Sequence, residues 1–328
     1  MRALVTGITG CVGSHLADLL LARGHVVWGT ARWRSSRENL AHLPPGAVTL
    51  VECDLTDPWS VLTLLGKSRP EVIYHVAAQS YVPASSARPL ETLSANGGST
   101  INLLEAVRTL WPSGGDPVVH VCSSSEVYGR VSAKDCPIRE TQPFAPLSPY
   151  ALSKCVADAA AGMYWRSHGL QTVRTRAFTH GGPRRGRPFF DSNFCWQVAR
   201  MERGLQSSTL RVGNMNSVRT LCDVRDMVRA YAALAVPGNA GEVFNVGGDD
   251  RLTVGEVVDL LREVSGVDFD VAVAPERIRR ADADLQVPDT SRMRTLTGWA
   301  PTIPYRQTLT DMLAWWRGRP AEALWGVE

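Results

Sequence analysis

At 328 residues, 44% hydrophobic and 20% charged, the chain can bury one large core or two intimate ones, and its composition is that of a soluble α/β protein. A formal charge of only +3 is too small to argue for a nucleic-acid partner, and no apolar run is long enough to cross a membrane. Seven scattered cysteines, an odd number with no C-x-x-C pair, exclude a disulfide framework and a zinc centre and read as reduced thiols of a cytoplasmic protein.

The N-terminus runs straight into strand-like Ala3-Leu4-Val5, with no signal peptide expected. Gly7-Ile8-Thr9-Gly10-Cys11-Val12-Gly13 follows as a tight turn into a helix carrying Leu16, Leu19 and Leu20 and ending at Gly24. Val26-Val27-Trp28 is the next strand. Strand, glycine turn, helix and strand within thirty residues predict a dinucleotide site, with Gly7, Thr9, Gly10, Cys11, Val12 and Gly13 bringing backbone to a pyrophosphate. The second strand ends in Arg32-Trp33-Arg34-Ser35-Ser36-Arg37, and no acid appears until Glu38. Arg32 with Ser35, and Arg34 or Arg37 beside them, suits a 2′-phosphate, so NADP is favoured and NAD is the alternative.

The α/β rhythm continues. Val48–Val51 leads to Asp54 and Leu55, candidates for the adenine edge, and Val72–Val76 leads to Ala77, Ala78, Gln79 and Ser80, small residues suited to close passage of a cofactor. His75, His120 and Tyr74 fall inside strand patterns and read as core. The strand Val118–Cys122 ends in Ser123-Ser124-Ser125-Glu126, a hydroxyl cluster with a carboxylate at a strand's C-terminal end, where reactive groups collect in an open parallel sheet. Pro149 then starts an Ala-rich helix on which Tyr150 and Lys154, four apart, share a face. An ammonium beside the phenol is expected to lower the Tyr150 pKa and make it a proton carrier, leaving Lys154 free to hold a ribose.

The glycine turn, the Ser124 cluster and the Tyr150/Lys154 pair, in that order, resemble the extended short-chain dehydrogenase/reductase family of nucleotide-sugar enzymes. The resemblance covers nearly the whole chain. Gly7-Ile8-Thr9-Gly10, Arg32–Ser36, Ala77–Ser80 and Gly182-Pro183-Arg184-Arg185-Gly186 look like the GDP-mannose 4,6-dehydratases. Val212-Gly213-Asn214, Arg219, Asp223–Asp226, Phe244–Gly248 and Thr297–Pro301 are similar to the GDP-6-deoxy-4-keto-mannose reductases. The resemblance implies Ser124, Tyr150 and Lys154 as the catalytic triad and Glu126 as an acid/base for removing water. It implies substrate contacts from Ser80, Ser125, Thr179, His180 and Arg185, with Arg219 and Arg280 on the diphosphate. Two departures are visible: Cys11-Val12 replaces the usual Gln-Asp, and Thr179 replaces the Asn before His180.

The expected fold is therefore a doubly wound parallel Rossmann sheet over residues 1–178. A smaller C-terminal α/β substrate domain follows over 179–328, with about 220–247 returning to the first. The expected activity transfers hydride between NADP and C4 of a nucleotide-diphosphate sugar, as a 4,6-dehydratase or a 4-keto reductase. A 4-epimerase is the alternative, and a non-catalytic NADP-binding scaffold a remote one. Relatives of this kind imply a homodimer or homotetramer.

Overall fold

The computed structural model describes residues 1–112, 114–278 and 285–324. The first half alternates strand and helix: β1 (Arg2–Thr6), α1 (Cys11–Ala22), β2 (Val26–Ala31), β3 (Val48–Glu52), α2 (Pro58–Ser68), β4 (Val72–His75), the short α3 (Val82–Ala87) and α4 (Pro89–Leu93), α5 (Ser99–Leu110), β5 (Val118–Ser124), α6 (Pro149–His168) and β6 (Thr172–Ala177). Local chemistry sets the boundaries. Asp57 caps α2 by accepting from the Trp59 and Ser60 amides ahead of Pro58. Ser148 caps α6 by accepting from the Ala151 amide, Pro149 fills its first turn, and Gly169 closes it in the left-handed conformation at φ 72°.

The second half holds β7 (His180–Gly181), α7 (Phe190–Glu202), β8 (Thr209–Val212), β9 (Val218–Asp223), α8 (Val224–Leu234), β10 (Val243–Val246), β11 (Asp250–Thr253), α9 (Val254–Ser265), β12 (Asp270–Val273), β13 (Leu285–Gln286), α10 (Ser291–Thr297), α11 (Tyr305–Arg317) and α12 (Ala321–Leu324). Seven strands form one sheet in the order β10-β6-β5-β4-β1-β2-β3, parallel throughout. The doubly wound sheet expected from the sequence is present.

One sheet face buries Val5, Leu16, Met227, Tyr231 and Phe244 beneath α1 and α8. The other buries Ile73, Leu103, Val119 and Ala161 beneath α2, α5 and α6. Covering both faces explains why β4 and β5 read as unbroken apolar runs rather than alternating ones. A separate core, with Trp196, Leu210, Val258, Leu309 and Trp316, joins α7, α9 and α11 to the small β8–β12 sheet. The order of strands reverses between β4 and β1, the place where an open parallel sheet leaves a crevice. His75, His120 and Tyr74 are buried in the sheet as expected. Among the described residues no helix is long and apolar enough to cross a membrane.

Candidate active site

The crevice is lined first by the glycine turn. Gly7 sits at φ +67°, and a Cβ there would stand 2.8 Å from the Ala77 Cα; one on Gly13 would stand 2.3 Å from the Gly7 carbonyl oxygen. Both contacts are to backbone, so neither position tolerates a side chain. The Gly7 amide donates to the Thr30 hydroxyl (3.0 Å), and the Ala77 amide to the Thr6 hydroxyl (3.2 Å). α1 begins at Cys11 behind an extended Gly10 with no side-chain cap. Its first-turn amides therefore point out of the turn with no helical carbonyl ahead of them, a ready anion site. The Cys11 thiol faces inward instead, donating to the Pro183 carbonyl (3.5 Å), and burial pushes its pKa up to about 12.

At the end of β2, Ser35 folds back on Arg32: the Arg32 amide donates to the Ser35 hydroxyl (3.1 Å), and the Ser35 amide to the Arg32 carbonyl (2.9 Å). Arg34 turns onto the Trp33 ring, 4.6 Å from its centroid. Asp54 follows β3; hydrogen bonds from the Thr56 amide and hydroxyl hold its pKa below the usual value, with the Arg32 charge contributing. The Leu55 carbonyl accepts from the Asn102 side-chain amide (3.1 Å). After β4, Ala77 and Ala78 are half-buried and Ser80 is exposed. The Gln79 side chain is spent on its own loop, accepting from the Tyr81 amide (2.6 Å) and donating to the Thr92 hydroxyl (3.3 Å).

The strand end of β5 and the first turns of α6 meet at Ser124 and Tyr150. Both are buried, and the Ser124 hydroxyl lies near enough to the Tyr150 phenol to lower its pKa. The Ser124 hydroxyl also accepts from the Glu126 amide (3.2 Å), which turns the chain so that Ser125 is buried and the Glu126 carboxylate bears electrostatically on Tyr150. Lys154 is equally buried, with Nζ donating to the Cys122 carbonyl (2.7 Å).

The Tyr150 pKa is raised, not lowered as the Tyr150/Lys154 spacing predicts. Burial dominates Tyr150 and drives its pKa up, opposed by the Ser124 hydroxyl. The cation whose charge lowers it is Arg185, while one N–H of Lys154 is directed at a backbone carbonyl. Burial also lowers the Lys154 pKa.

Arg185 is held rigidly. Its guanidinium pairs with buried Asp191 (3.1 Å), donates to the His180 carbonyl, and lies 4.2 Å from the Phe189 ring centroid. His180 on β7 contacts the Phe178 carbonyl (2.8 Å), and burial, then the Arg185 charge, lower its pKa to about 4. Thr179, immediately before it, accepts at its carbonyl from the Cys222 amide (3.1 Å). Arg219 lies on β9, opposite Leu252 and Gln286 and on a different sheet from Ser124, with one nitrogen donating to the Val218 carbonyl (3.1 Å). Arg280 lies outside the described residues.

Two residues of this region carry no signal in the sequence. Asn96, buried in a single π-helical turn over Ser94–Gly98, accepts from the Gln79 amide (2.8 Å) and donates to the Gln79 carbonyl (3.0 Å) and the Ser153 hydroxyl (2.8 Å). It thereby ties the Ala77–Gln79 loop to the helix carrying Tyr150. Asn-Gly-Gly reads as a turn, and only a π-helical insertion turns that amide inward. Asp191, the partner of Arg185, begins α7 and carries no local motif.

The site residues fit a dinucleotide: a cradle that any Cβ would fill, open helix-terminal amides, and a basic turn one strand away. A parallel dinucleotide fold with Ser, Tyr and Lys gathered at the strand ends defines an enzyme of the extended short-chain dehydrogenase/reductase class. The GDP-mannose 4,6-dehydratase family model matches residues 4–312, and the chain belongs to that family. It is 34% identical to the GDP-6-deoxy-D-mannose reductase of Pseudomonas aeruginosa, across 98% of this chain and 99% of that one. It is 30% identical to the GDP-mannose 4,6-dehydratase of Yersinia enterocolitica, across 95% and 93%. The structure of RMD from Pseudomonas aeruginosa complexed with NADPH superposes with a TM-score of 0.81 at 30% identity, covering 98% of this chain and all of that one.

Proposed function

We propose that the protein transfers hydride between NADP and C4 of a GDP-linked hexose, acting as a 4,6-dehydratase or a 4-keto-6-deoxy sugar reductase. The observation that carries this reading is the buried Ser124–Tyr150 hydroxyl pair, with Lys154, Glu126 and Arg185 around it. Residues 1–178, with about 220–247, hold the cofactor, and the remainder shapes the substrate side. Gly7, Gly10 and Gly13 bring backbone close, and the Cys11 and Val12 amides face the pyrophosphate. Thr9 closes the turn. Arg32 and Ser35 take the 2′-phosphate, as their mutual turn supports. Asp54 and Leu55 meet the adenine, Ala77–Gln79 line the passage, and Lys154 reaches the nicotinamide ribose. When bound, NADP supplies the hydride acceptor and donor.

The chain's own groups handle the protons. Ser124 donates to the C4 oxygen, and Tyr150 takes or returns its proton through that hydroxyl. Because burial keeps the phenol protonated, Tyr150 is set to donate to a C4 carbonyl and needs a cation, Arg185, to accept. Glu126 moves the proton at C5 and C6, for which a carboxylate beside the phenol supplies the second acid/base. Ser80, Ser125, Thr179, His180, Arg185, Arg219 and Arg280 contact the substrate, the arginines suiting its diphosphate.

Glu126 favours the dehydratase; the 34% identity to a reductase favours the 4-keto reductase. Seven free thiols agree with a cytoplasmic enzyme. Exposed Ile101 on α5 and Leu152 and Met163 on α6 agree with a homodimer or homotetramer built on those helices, which light scattering would test. The activity is tested with a panel of GDP-, UDP-, ADP-, CDP- and dTDP-sugars and their 4-keto-6-deoxy forms, following product mass and reduced-nicotinamide absorbance. Loss of one water identifies the dehydratase and gain of two hydrogens the reductase. An isomer of equal mass means an epimerase, and no turnover of any sugar overturns the reading.

A further inference from the structure

The basic turn at Arg32–Ser35 is followed by a short 3₁₀ segment, Glu38–Leu40, tied to parts of the fold far apart in sequence. The Asn39 side-chain amide donates to the Thr9 carbonyl inside the glycine turn (2.9 Å) and to the Arg184 carbonyl (3.4 Å). Glu38 forms an ion pair with Arg319, beyond the end of α11. Four residues on, His42 contacts Asp18 of α1 (2.7 Å), and the same carboxylate holds Arg184 (2.8 Å). Arg184 itself sits at φ +67°, a left-handed backbone that a non-glycine residue keeps only where its surroundings hold it. Arg185, which bears on Tyr150, comes next in the chain. One half-buried amide, four residues along the chain from the 2′-phosphate turn, therefore joins the pyrophosphate turn to the segment that delivers the active-site cation.

We propose that Asn39 is a specificity-positioning residue that clasps the Arg32–Ser35 turn to the glycine turn and to Arg184, so that preference for NADP over NAD depends on it. The inference rests on the reading that Arg32 and Ser35 take the 2′-phosphate. Hydrogen bonds to phosphate are short and directional, and a loop that must be ordered on binding surrenders part of their value. Asn39 orders the turn beforehand. Releasing it penalises the ligand that carries the phosphate and leaves its counterpart without the phosphate nearly untouched. A residue that merely stabilised the fold would weaken both.

The test is equilibrium binding of NADPH and of NADH to the full chain, read by nicotinamide fluorescence. Asn39→Ala is expected to weaken NADPH about tenfold and NADH by less than about threefold, the scale of lost preorganisation at one charged contact. Asn39→Asp keeps the shape but turns a carboxylate toward two carbonyl oxygens, so its selectivity falls at least as far. Arg319→Met, which frees Glu38 and removes the guanidinium from the Trp315 ring, gives a smaller fall in the same direction. A ratio of the two affinities unchanged in both Asn39 variants overturns the clasp, as does an equal loss for both dinucleotides. Wild-type protein showing no preference for NADPH overturns the reading of Arg32 and Ser35, and the clasp with it. Wild type that prefers NADPH while the variants keep its ratio sinks the clasp alone.

Discussion

Tyr150 is buried where its surroundings pull its proton affinity in opposite directions. Burial raises its pKa, Ser124 and the Arg185 charge lower it, and Cys122 and Glu126 raise it. The phenol is thus protonated through the neutral range, and a step in which Tyr150 must accept a proton speeds up as pH rises. Removing the Arg185 charge takes away a lowering influence, so the ascending limb of the pH profile of C4 oxidation moves to higher pH in Arg185→Met. A limb that stays in place or moves down would show that Arg185 does not tune the phenol. Tyr150→Phe keeps the ring and loses the proton; kcat should fall about 10²- to 10⁴-fold, the usual worth of a positioned acid/base, with an unchanged melting temperature. Glu126→Gln separates the two chemistries at one residue. In a dehydratase it should still oxidise C4, accumulating reduced nicotinamide, while product lacking a water disappears from the mass spectrum. In a reductase it should leave turnover within a few-fold of wild type.

α6 concentrates the catalytic groups in its first turns, so its N-terminus matters to chemistry as well as stability. Ser148 supplies the side-chain cap, and Ser148→Ala should cost about 1 kcal/mol in urea denaturation. A loss of kcat beyond what the lost folded fraction explains would show that the cap also sets the Tyr150 position. The strands and helices that frame the crevice are legible in the sequence because their signals are local. Apolar runs bounded by glycine or by a capping Asp or Ser are enough for β1, β4, β5 and α6. The glycine turn is legible for the same reason, since backbone approach demands glycine at Gly7 and Gly13 wherever they lie. What stays hidden depends on partners distant in sequence. Asn96 acquires its meaning from Gln79 and Ser153, Arg185 from Asp191, and Lys154 donates a hydrogen bond to the Cys122 carbonyl because burial leaves that carbonyl as its neighbour. Spacing on a helix puts Tyr150 and Lys154 on one face without saying what each one meets there.

At the scale of the whole molecule, four histidines are folded into places where charge is costly. His75 and His120 lie in adjacent central strands, the first between the Thr6 and Thr100 hydroxyls (2.9 and 3.0 Å) and the second against Thr175 (2.8 Å) and the Tyr231 ring. His15 and His180 lie where α1 and β7 meet the Pro183–Arg185 segment, His15 on the Pro183 carbonyl (3.1 Å). Burial lowers their pKa from the ordinary 6.5 to about 3 for His75 and His120 and about 4 for His15 and His180. A base whose folded pKa is depressed takes up its proton on unfolding at any pH between the two values. Stability from these four is therefore complete above about pH 6.5 and drains away as pH falls. Each proton contributes about 1.4 kcal/mol per pH unit, so four approach about 5 kcal/mol per unit, against a total stability of about 5–15 kcal/mol. Urea denaturation between pH 7.5 and 4.5 should show a steep loss, with acid unfolding complete by about pH 4. His120→Gln, neutral at every pH and still able to reach Thr175, should make the slope shallower by about a quarter while lowering stability at pH 7.5. A stability that stays flat from pH 7 down to 5 would mean that the sheet admits the charged imidazoles, and the account of a dry, fully packed centre beneath the active site would have to be given up.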